Sequence, residues 1–504
     1  MLHLGMRIIA ITAHKFLVTC LFLIVQFITT NAQAEGILRL GIDAADLGTS
    51  DPHKAASRND RIVVDMLFNG LVRYTPGRAP EIEPDLAVEI PTPRFENGFQ
   101  VWRVRLREDV ICQAGPKTAA YRLTADDVVF SLKRAADPKR SSYAGTYEGM
   151  IFRKVSEFEI DIALEKPLSS ILFYPKIADY AGGFVVCKMP AETADDQRLV
   201  SSPIGTGPFQ LGLRKHGHSL ELDANPRYFR GRPNLDGVEI RYLPKLEDRD
   251  SLLRSGDLDV IFGSERQDWH DDINSLVAVN VDVFGVGQVI TVHFNLSKTP
   301  LDNPSVRKAL ILALDRDEFK AEFADGVVEN VYSVVPNKFL PGGLSKEGAN
   351  KLGVGYGRNL AEARLLMAQA GYENGFSLNL LSSERPHYLV NYQSLKKQLA
   401  KIGVKIELEV VPHHEMHKRI RNDENAIVIY VAWRPNADVF LTRFFHSKST
   451  VLTGRTPDTN FSHYAGIDDL VEQARLARKP EDQMRFWRQA QIKLLHEAAA
   501  FPLH

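Results

Sequence analysis

The sequence of 504 residues is poor in cysteine, with three in all. Three cysteines are too few for a disulfide scaffold, and no CxxC pair indicates a structural zinc site. The GxSxG motif of serine hydrolases and the phosphate-binding P-loop are also absent. Charge of one sign is not in excess, because 62 Lys and Arg stand against 63 Asp and Glu. A net charge of −1 gives no global preference for nucleic acid or for an anionic membrane.

The amino terminus has the pattern of an export signal. Its uncharged stretch, residues 16–28, has 13 residues, whereas a membrane span needs about 20. Arg7 and Lys15 precede or border this stretch, and Ala32-Gln33-Ala34 fits a signal peptidase site. We therefore interpret residues 1–34 as a cleaved secretory signal peptide and expect a periplasmic protein. Removing its two basic residues leaves 60 basic and 63 acidic residues, a net charge of −3.

The positions of the cysteines indicate whether the chain carries a lipid anchor and whether it can form a disulfide bond. Cys20 lies inside the apolar stretch after Thr19, not at its end after a small residue, so we expect no lipid anchor. Cys112 and Cys187 remain in the mature chain. An oxidising compartment allows them to pair. Two buried thiols are the alternative, because nothing in the sequence brings their Cα atoms together.

Helix and strand signals occur together, which indicates an α/β protein. Alternating apolar and charged positions predict a half-buried strand over residues 101–107. The continuous apolar run 427–433 is typical of a strand covered on both faces. Capping residues predict helices that begin after Thr124, Asn303 and Asn359.

Two motifs that suggest metal or nucleotide chemistry are incomplete. His413 and His417 are four residues apart, but Lys418 occupies the position where HExxH needs its second histidine. We interpret this segment as a polar loop between a strand and a helix and predict no metal site. The segment from Gly205 to Gln210 begins like GxGxxG but lacks the third glycine, and Pro208 removes an amide. We predict a close-packed turn there and no cofactor.

Ten segments form a series along nearly the whole chain. They are SDPH (50–53), MLFNGLVRY (66–74), PDLA (84–87), LREDV (106–110), LTADDVVFSLKR (123–134), PIGTGPF (203–209), NPRYFRG (225–231), SGDLD (255–259), NPSVRKAL with ALDR (303–316) and LAKIGV (399–404). In this order they resemble the bacterial extracellular solute-binding proteins of family 5, the oligopeptide-, dipeptide- and nickel-binding receptors of ABC importers. Each segment alone is a modest signal, whereas the ordered series is specific.

The resemblance implies an α/β, bilobal periplasmic binding protein of type II with an inserted subdomain and mixed sheets. Residues 35–75, 190–285 and 471–504 would form the first lobe, 76–189 the insert and 286–470 the second lobe. Relatives usually continue for tens of residues after the strand that matches the end of this chain. We therefore expect the closing elements of the first lobe to be missing.

The resemblance also places a ligand site between the lobes. In peptide-binding relatives an acidic residue follows the strand that matches 427–433 and pairs with the ligand's amino terminus. The nearest residue here is Asn436, with Asp438 as a substitute, while Trp433 would form an aromatic wall. Arg434 could bind a carboxylate or a phosphate, with a solvent-facing arginine as the alternative.

Two further candidates, Asp51 and His53, lie in the amino-terminal loop that borders the cleft in relatives, with turn capping as the alternative. We expect a monomeric receptor that captures a peptide-like or other small polar solute and delivers it to an inner-membrane ABC permease, without nucleic acid, metal or cofactor. A neutral Asn436 disfavours a plain peptide with a free amino terminus. An exported hydrolase and a non-transport sensor or chaperone that uses the same cleft remain the alternatives.

Overall fold

A computed structural model describes residues 36–78, 80–116, 118–180, 182–189, 202–283 and 287–504. The predicted signal peptide, residues 1–34, lies outside these ranges and stays a prediction. Within them, no helix combines the length and apolar character that crossing a membrane requires.

The elements are numbered in chain order. Those before residue 284 are β1 (Ile37–Ile42), α1 (Arg58–Leu67), β2 (Val72–Tyr74), β3 (Ile82–Pro84), β4 (Pro93–Glu96), β5 (Phe99–Arg105), β6 (Ile111–Cys112), β7 (Tyr121–Arg122), α2 (Ala125–Ala135), β8 (Met150–Ser156), β9 (Glu159–Leu164), α3 (Ser170–Ile177), β10 (Phe209–Lys215), β11 (Ser219–Ala224), β12 (Gly237–Tyr242), α4 (Leu246–Ser255), β13 (Val260–Ile261) and α5 (Gln267–Asn274). Those after residue 286 are β14 (Val289–Phe294), α6 (Pro304–Ala313), α7 (Arg316–Lys320), α8 (Lys346–Lys351), α9 (Leu360–Gln369), β15 (Phe376–Ser383), α10 (Pro386–Leu399), β16 (Val404–Val411), α11 (His413–Arg421), β17 (Ile427–Ala432), α12 (Ala437–Phe445), α13 (Asp468–Leu476), α14 (Pro480–His496) and β18 (Ala500–Pro502).

Three main apolar cores organise these elements. The first lies under a five-stranded mixed sheet of order β10-β11-β12-β1-β13, in which β1 runs parallel to β12 and β13. The second lies against the antiparallel sheet β4-β5-β9-β8 and is covered by α2. The third surrounds the antiparallel sheet β17-β14-β18 and the parallel pair β15-β16. We call the three units the first lobe, the insert and the second lobe, and the fold is α/β and bilobal.

The local predictions agree with the structure where the periodicity or the caps are strong. In β5, Trp102 and Val104 are buried while Arg103 and Arg105 face solvent, so the predicted half-buried strand is confirmed. The Asn303 side chain accepts the Ser305 N–H at 2.9 Å at the start of α6. A side-chain Cβ at Gly205 or Gly207 would lie 2.1 or 2.4 Å from the backbone of Leu67, which explains a close-packed turn.

The carboxyl-terminal segment belongs to the second lobe, so the prediction that residues 471–504 return to the first lobe is wrong. Strand β18 pairs with β14, with Phe501 opposite Val292. Trp487 of α14 is buried in the same core. The physical reason is that β14 needs hydrogen-bond partners on both edges, and β17 supplies only one of them.

A disulfide links Cys112 to Cys187, with a Cα–Cα distance of 6.0 Å, so the pairing alternative is correct. The bond joins β6 to the segment that follows α3, and both half-cystines are fully buried.

A buried ion pair joins the first lobe to the insert. The guanidinium of Arg134 in α2 donates to both carboxylate oxygens of Asp51, at 3.0 and 2.6 Å, and neither side chain is exposed. Arg134 Nη1 also lies 2.7 Å from His53 Nδ1, while His53 Nε2 lies 3.0 Å from the carbonyl oxygen of Phe184. Burial lowers the pKa of His53 to about 4, so the ring is neutral at pH 7 and its Nε2–H donates to Phe184.

Replacing both half-cystines, Cys112→Ala with Cys187→Ala, should lower the free energy of unfolding by roughly 4–5 kcal/mol in the chain-entropy model, because the bridge closes a loop of 75 residues. Equilibrium urea denaturation measures this. Reduced wild-type protein should match the double variant, and an unchanged midpoint in both samples would contradict the prediction.

Arg134→Met should destabilise the protein by roughly 3–5 kcal/mol, because it leaves the Asp51 carboxylate buried without a cation. The matched control is Arg122→Met, whose ion pair with Glu157 is about half exposed, and its cost should stay below about 1 kcal/mol. An equal loss of unfolding free energy in the two variants would show that burial of the Asp51–Arg134 pair does not add to its contribution to stability.

Candidate solute-binding cleft

Helix α1 carries a charged face on the side opposite its core. Val63 and Val64 are fully buried. Arg58, Arg61 and Asp65 follow each other at spacings of three and four residues, which places them along one face of the helix. Of this face, Arg61 reaches the aromatic contact described below, whereas Arg58 pairs with Asp43.

The insert and the second lobe meet at a contact between aromatic rings. Tyr180, three residues after the end of α3, packs edge-on against Trp433, with ring centroids 4.5 Å apart. Trp433 follows directly after β17 in the second lobe. The guanidinium of Arg61 lies 4.6 Å from the centroid of Tyr180. The candidate cleft therefore has an aromatic wall from the insert and the second lobe, to which the first lobe adds the cation of Arg61.

Arg434 extends this wall with a half-buried cation. Its Nη1 donates to the carbonyl oxygen of Trp433 at 2.8 Å, and its guanidinium lies 5.0 Å from the centroid of Phe444. Burial lowers the pKa of Arg434, but a guanidinium stays charged at pH 7. Among the described residues, neither Arg434 nor Arg61 forms an ion pair, and the buried Nε of each lacks a hydrogen-bond partner. The cleft thus holds two guanidinium groups with unused donors.

Two carboxylates lie near the same wall. Asp65 is one helical turn after Arg61, and Asp179 precedes Tyr180 and accepts the Tyr74 N–H at 3.0 Å. Burial raises the pKa of Asp65 to about 6 and that of Asp179 to about 8, and repulsion between the two carboxylates adds to the shift of Asp179. Asp65 is exposed, and Asp179 is partly exposed.

The two residues expected to hold an amino terminus have other partners. Asn436 is the amino-terminal cap of α12, and its side-chain oxygen accepts the Val439 N–H at 3.0 Å. Asp438 pairs with Arg475 of α13, with Arg475 Nε 3.0 Å from Asp438 Oδ1. Both engagements hold α12 in place, so neither side chain is free for a solute in this conformation.

Asp51 and His53 are fully buried in the Arg134 network described above. Neither side chain has surface that a solute could contact in this conformation. Of the six residues singled out from the sequence, Trp433 packs against Tyr180, Arg434 donates to the Trp433 carbonyl oxygen, and the other four make internal contacts.

The histidine segment 413–417 is the start of helix α11, so its interpretation as a loop is wrong. His413 Nε2 and His417 Nε2 are 3.1 Å apart, and Arg421 Nη1 lies 3.2 Å from His417 Nδ1. Because arginine only donates, His417 Nδ1 accepts and its Nε2–H donates to His413. Both Nε2 atoms are therefore engaged, and the described part of the chain contains no group of three metal-ligating side chains.

Two surface depressions lie elsewhere. One of about 460 Å³ is lined by residues of the insert that include Arg105 and Glu159, and one of about 350 Å³ by residues that include Gln267 and Asp317. Both are open and have charged rims, and neither contains the Tyr180–Trp433 wall. A solute would remain largely hydrated in them, so we place the candidate site in the cleft.

Sequence reasoning missed four residues of the cleft, namely Arg61, Asp65, Asp179 and Tyr180. The first two are visible as a charged stripe on α1, but exposed helix faces carry charges in most soluble proteins. Asp179 and Tyr180 lie outside every regular element. These four residues come close to one another only because the insert packs against both lobes.

Relatives of known structure share this architecture. The periplasmic binding protein MoaA of A. tumefaciens R10, solved with mannopinic acid, is 32% identical, with a TM-score of 0.77 over 93% of this chain and 92% of that one. DppA of Helicobacter pylori, solved with the peptide STSA, is 22% identical and has a TM-score of 0.74 over 93% of this chain and 92% of its own.

Relatives found by sequence agree with the structural neighbours. The probable di/tripeptide-binding protein 5 of Pseudomonas aeruginosa is 27% identical over 86% of this chain and 83% of its own length. A family model described as bacterial extracellular solute-binding proteins, family 5, middle region, matches residues 81–450. The chain belongs to the bacterial extracellular solute-binding proteins of family 5 and is a solute-binding receptor.

Proposed function

We propose that this receptor captures a small organic carboxylate between Arg61 and Arg434 and delivers it to an ABC permease in the inner membrane. The observation that carries the proposal is the pair of guanidinium groups without an ion-pair partner in the described chain, one from each lobe, beside the Tyr180–Trp433 contact.

Unpaired guanidinium groups in a cleft favour an anionic ligand. A half-buried cation without a counter-ion costs free energy that a bound carboxylate recovers, and the planar guanidinium can bind a carboxylate with two hydrogen bonds. Because one arginine belongs to each lobe, a carboxylate between them would also hold the lobes together. Closure of two lobes around a ligand is the hinge motion common to such receptors.

The names of relatives support a carboxylate. Matches include proteins that bind dipeptides, glutathione and mannopinic acid, and each of these compounds carries at least one carboxylate. The internal engagement of Asn436 and Asp438 separates this chain from the peptide-binding pattern that the resemblance implies. The solute class that we propose is therefore wider than peptides.

Arg434→Gln should weaken solute binding by at least about tenfold, because it removes a charge-assisted hydrogen bond worth roughly 1.5–3 kcal/mol. Isothermal titration calorimetry or thermal shift with a panel of peptides and other organic acids measures this. In the wild type, a ligand at 100 times Kd should add about 2.7 kcal/mol of stability.

The matched control is Arg488→Gln, an exposed arginine on α14, which should bind as the wild type does. If no organic acid stabilises the wild-type protein, or if Arg434→Gln binds as tightly as the control, the proposal fails.

We also propose that the receptor acts in the periplasm after its signal peptide is cleaved behind Ala34. Intact-mass measurement of the exported protein should give a chain that begins at Glu35 and carries no lipid. Ala34→Lys should block cleavage and leave a heavier, membrane-associated precursor, because signal peptidase needs a small residue there. A wild-type mass that includes Cys20 would contradict this prediction.

A further inference from the structure

We propose that helix α3 of the insert is part of a latch that holds the receptor closed before a solute binds. The latch consists of Ser169 and Leu172, at the amino-terminal end of α3, and of Gln483 in α14 of the second lobe. It acts on the movement of the lobes, whichever solute the cleft takes.

Helix α3 has apolar side chains on two sides, and each side belongs to a different core. Phe173 and Ile177, four residues apart, are fully buried in the core of the insert. Leu172 is buried in the core of the second lobe, with 6% of its surface exposed. A helix that is apolar on both sides needs both sides covered. Separation of the insert from the second lobe would expose Leu172 to water, which is unfavourable.

The hydroxyl of Ser169 forms a hydrogen bond across the same contact. A serine at the amino-terminal cap of a helix usually accepts a backbone N–H of the first turn, but the side chain of Ser169 accepts none. It donates to Oε1 of Gln483 at 2.6 Å, and both side chains are buried. Nε2 of Gln483 donates to the carbonyl oxygen of Ala474 at 2.9 Å, which fixes the acceptor on the second lobe.

Helix α3 is firmly attached to the insert. The ring of Phe173 stacks on Trp102 of β5, with centroids 4.0 Å apart. The side chain of Gln100 accepts the Leu168 N–H and donates to the Leu168 carbonyl oxygen, both at 2.8 Å. The insert in turn is held on the first lobe by the buried ion pair described above. The latch residues of α3 therefore move together with the first lobe.

A hinge motion between the lobes has to break this contact. The chain passes from the first lobe to the second between α5 and β14. Because the insert moves with the first lobe, a rotation of the second lobe shifts α3 relative to Gln483. The Ser169–Gln483 bond then breaks, and Leu172 leaves the core of the second lobe. Receptors with two lobes open and close in this way, so the buried contact favours the closed form without a solute.

The latch also affects solute binding without touching the solute. A solute that contacts both lobes binds the closed form, so its apparent Kd equals the intrinsic Kd divided by the closed fraction. Tyr180 follows the end of α3 by three residues and packs against Trp433. The same helix therefore positions one side of the aromatic wall.

Small-angle X-ray scattering of the mature receptor without solute tests the latch. Leu172→Asp places a charge where the closed form buries Leu172, whereas the open form leaves this charge in water. We expect the wild type to scatter as the closed structure does. Leu172→Asp should have a larger radius of gyration, with an unchanged circular dichroism spectrum. The milder double variant, Ser169→Ala with Leu172→Ala, should also have a larger radius of gyration, because it removes the hydrogen bond and most of the apolar contact.

The matched control is Leu365→Asp, a leucine on α9 that is 57% exposed, which should scatter as the wild type does. If Leu172→Asp does not fold, the double variant decides, because it adds no charge. A wild type that already scatters as an open molecule, or folded variants that keep its radius of gyration, would overturn the latch. Loss of folding in both variants would make the contact a permanent part of the core and would overturn it too. None of these outcomes affects the proposed function, since no solute is present.

Discussion

Charged groups that leave water need a partner inside the protein, and the charges described above form two sets, those with a counter-ion in the chain and those without one. Asp51 and Arg134 satisfy each other, with both side chains fully buried, and hold the insert on the first lobe. Asp438 and Arg475 do the same between two helices of the second lobe. The charges of the cleft have no such partner in the described chain. The paired charges fix the scaffold, and the unpaired charges are the ones to which a solute can bind.

The scaffold brings the unpaired charges near one another because three units meet at one place. Helix α1 comes from the first lobe, Tyr180 follows the last helix of the insert, and Trp433 follows a strand of the second lobe. A ring pair of 4.5 Å and a cation over a ring join these three. The insert also packs Leu172 into the second-lobe core and donates a hydrogen bond from Ser169 to Gln483. A solute that binds residues of both lobes would add a further interaction between them.

The fold could be predicted where the signal is local or where motifs follow a family order. The alternation of apolar and charged residues predicted β5, and the cap residue Asn303 predicted the start of α6. The ordered motifs predicted two lobes and the family. The placement of residues 471–504 could not be predicted, because β18 has three residues and its partner lies about 200 positions earlier. Asp51 and His53 carry polar side chains, as ligand-binding residues often do. Only their burial shows that they hold the scaffold together.

The balance of charge in the whole chain explains why the composition gives no hint of the solute. Arg61 and Arg434 are two of 62 basic residues that 63 acidic residues offset, so they leave no mark on the net charge of −1 and exert little long-range attraction. Under the proposed function, recognition then depends on short-range pairing. A carboxylate between the two guanidinium groups would compensate both of them, whereas a simple amine would leave them uncompensated. Selectivity for anions arises from this difference. A receptor of nearly neutral composition can therefore be selective for charge, provided that charges of one sign lie on one wall.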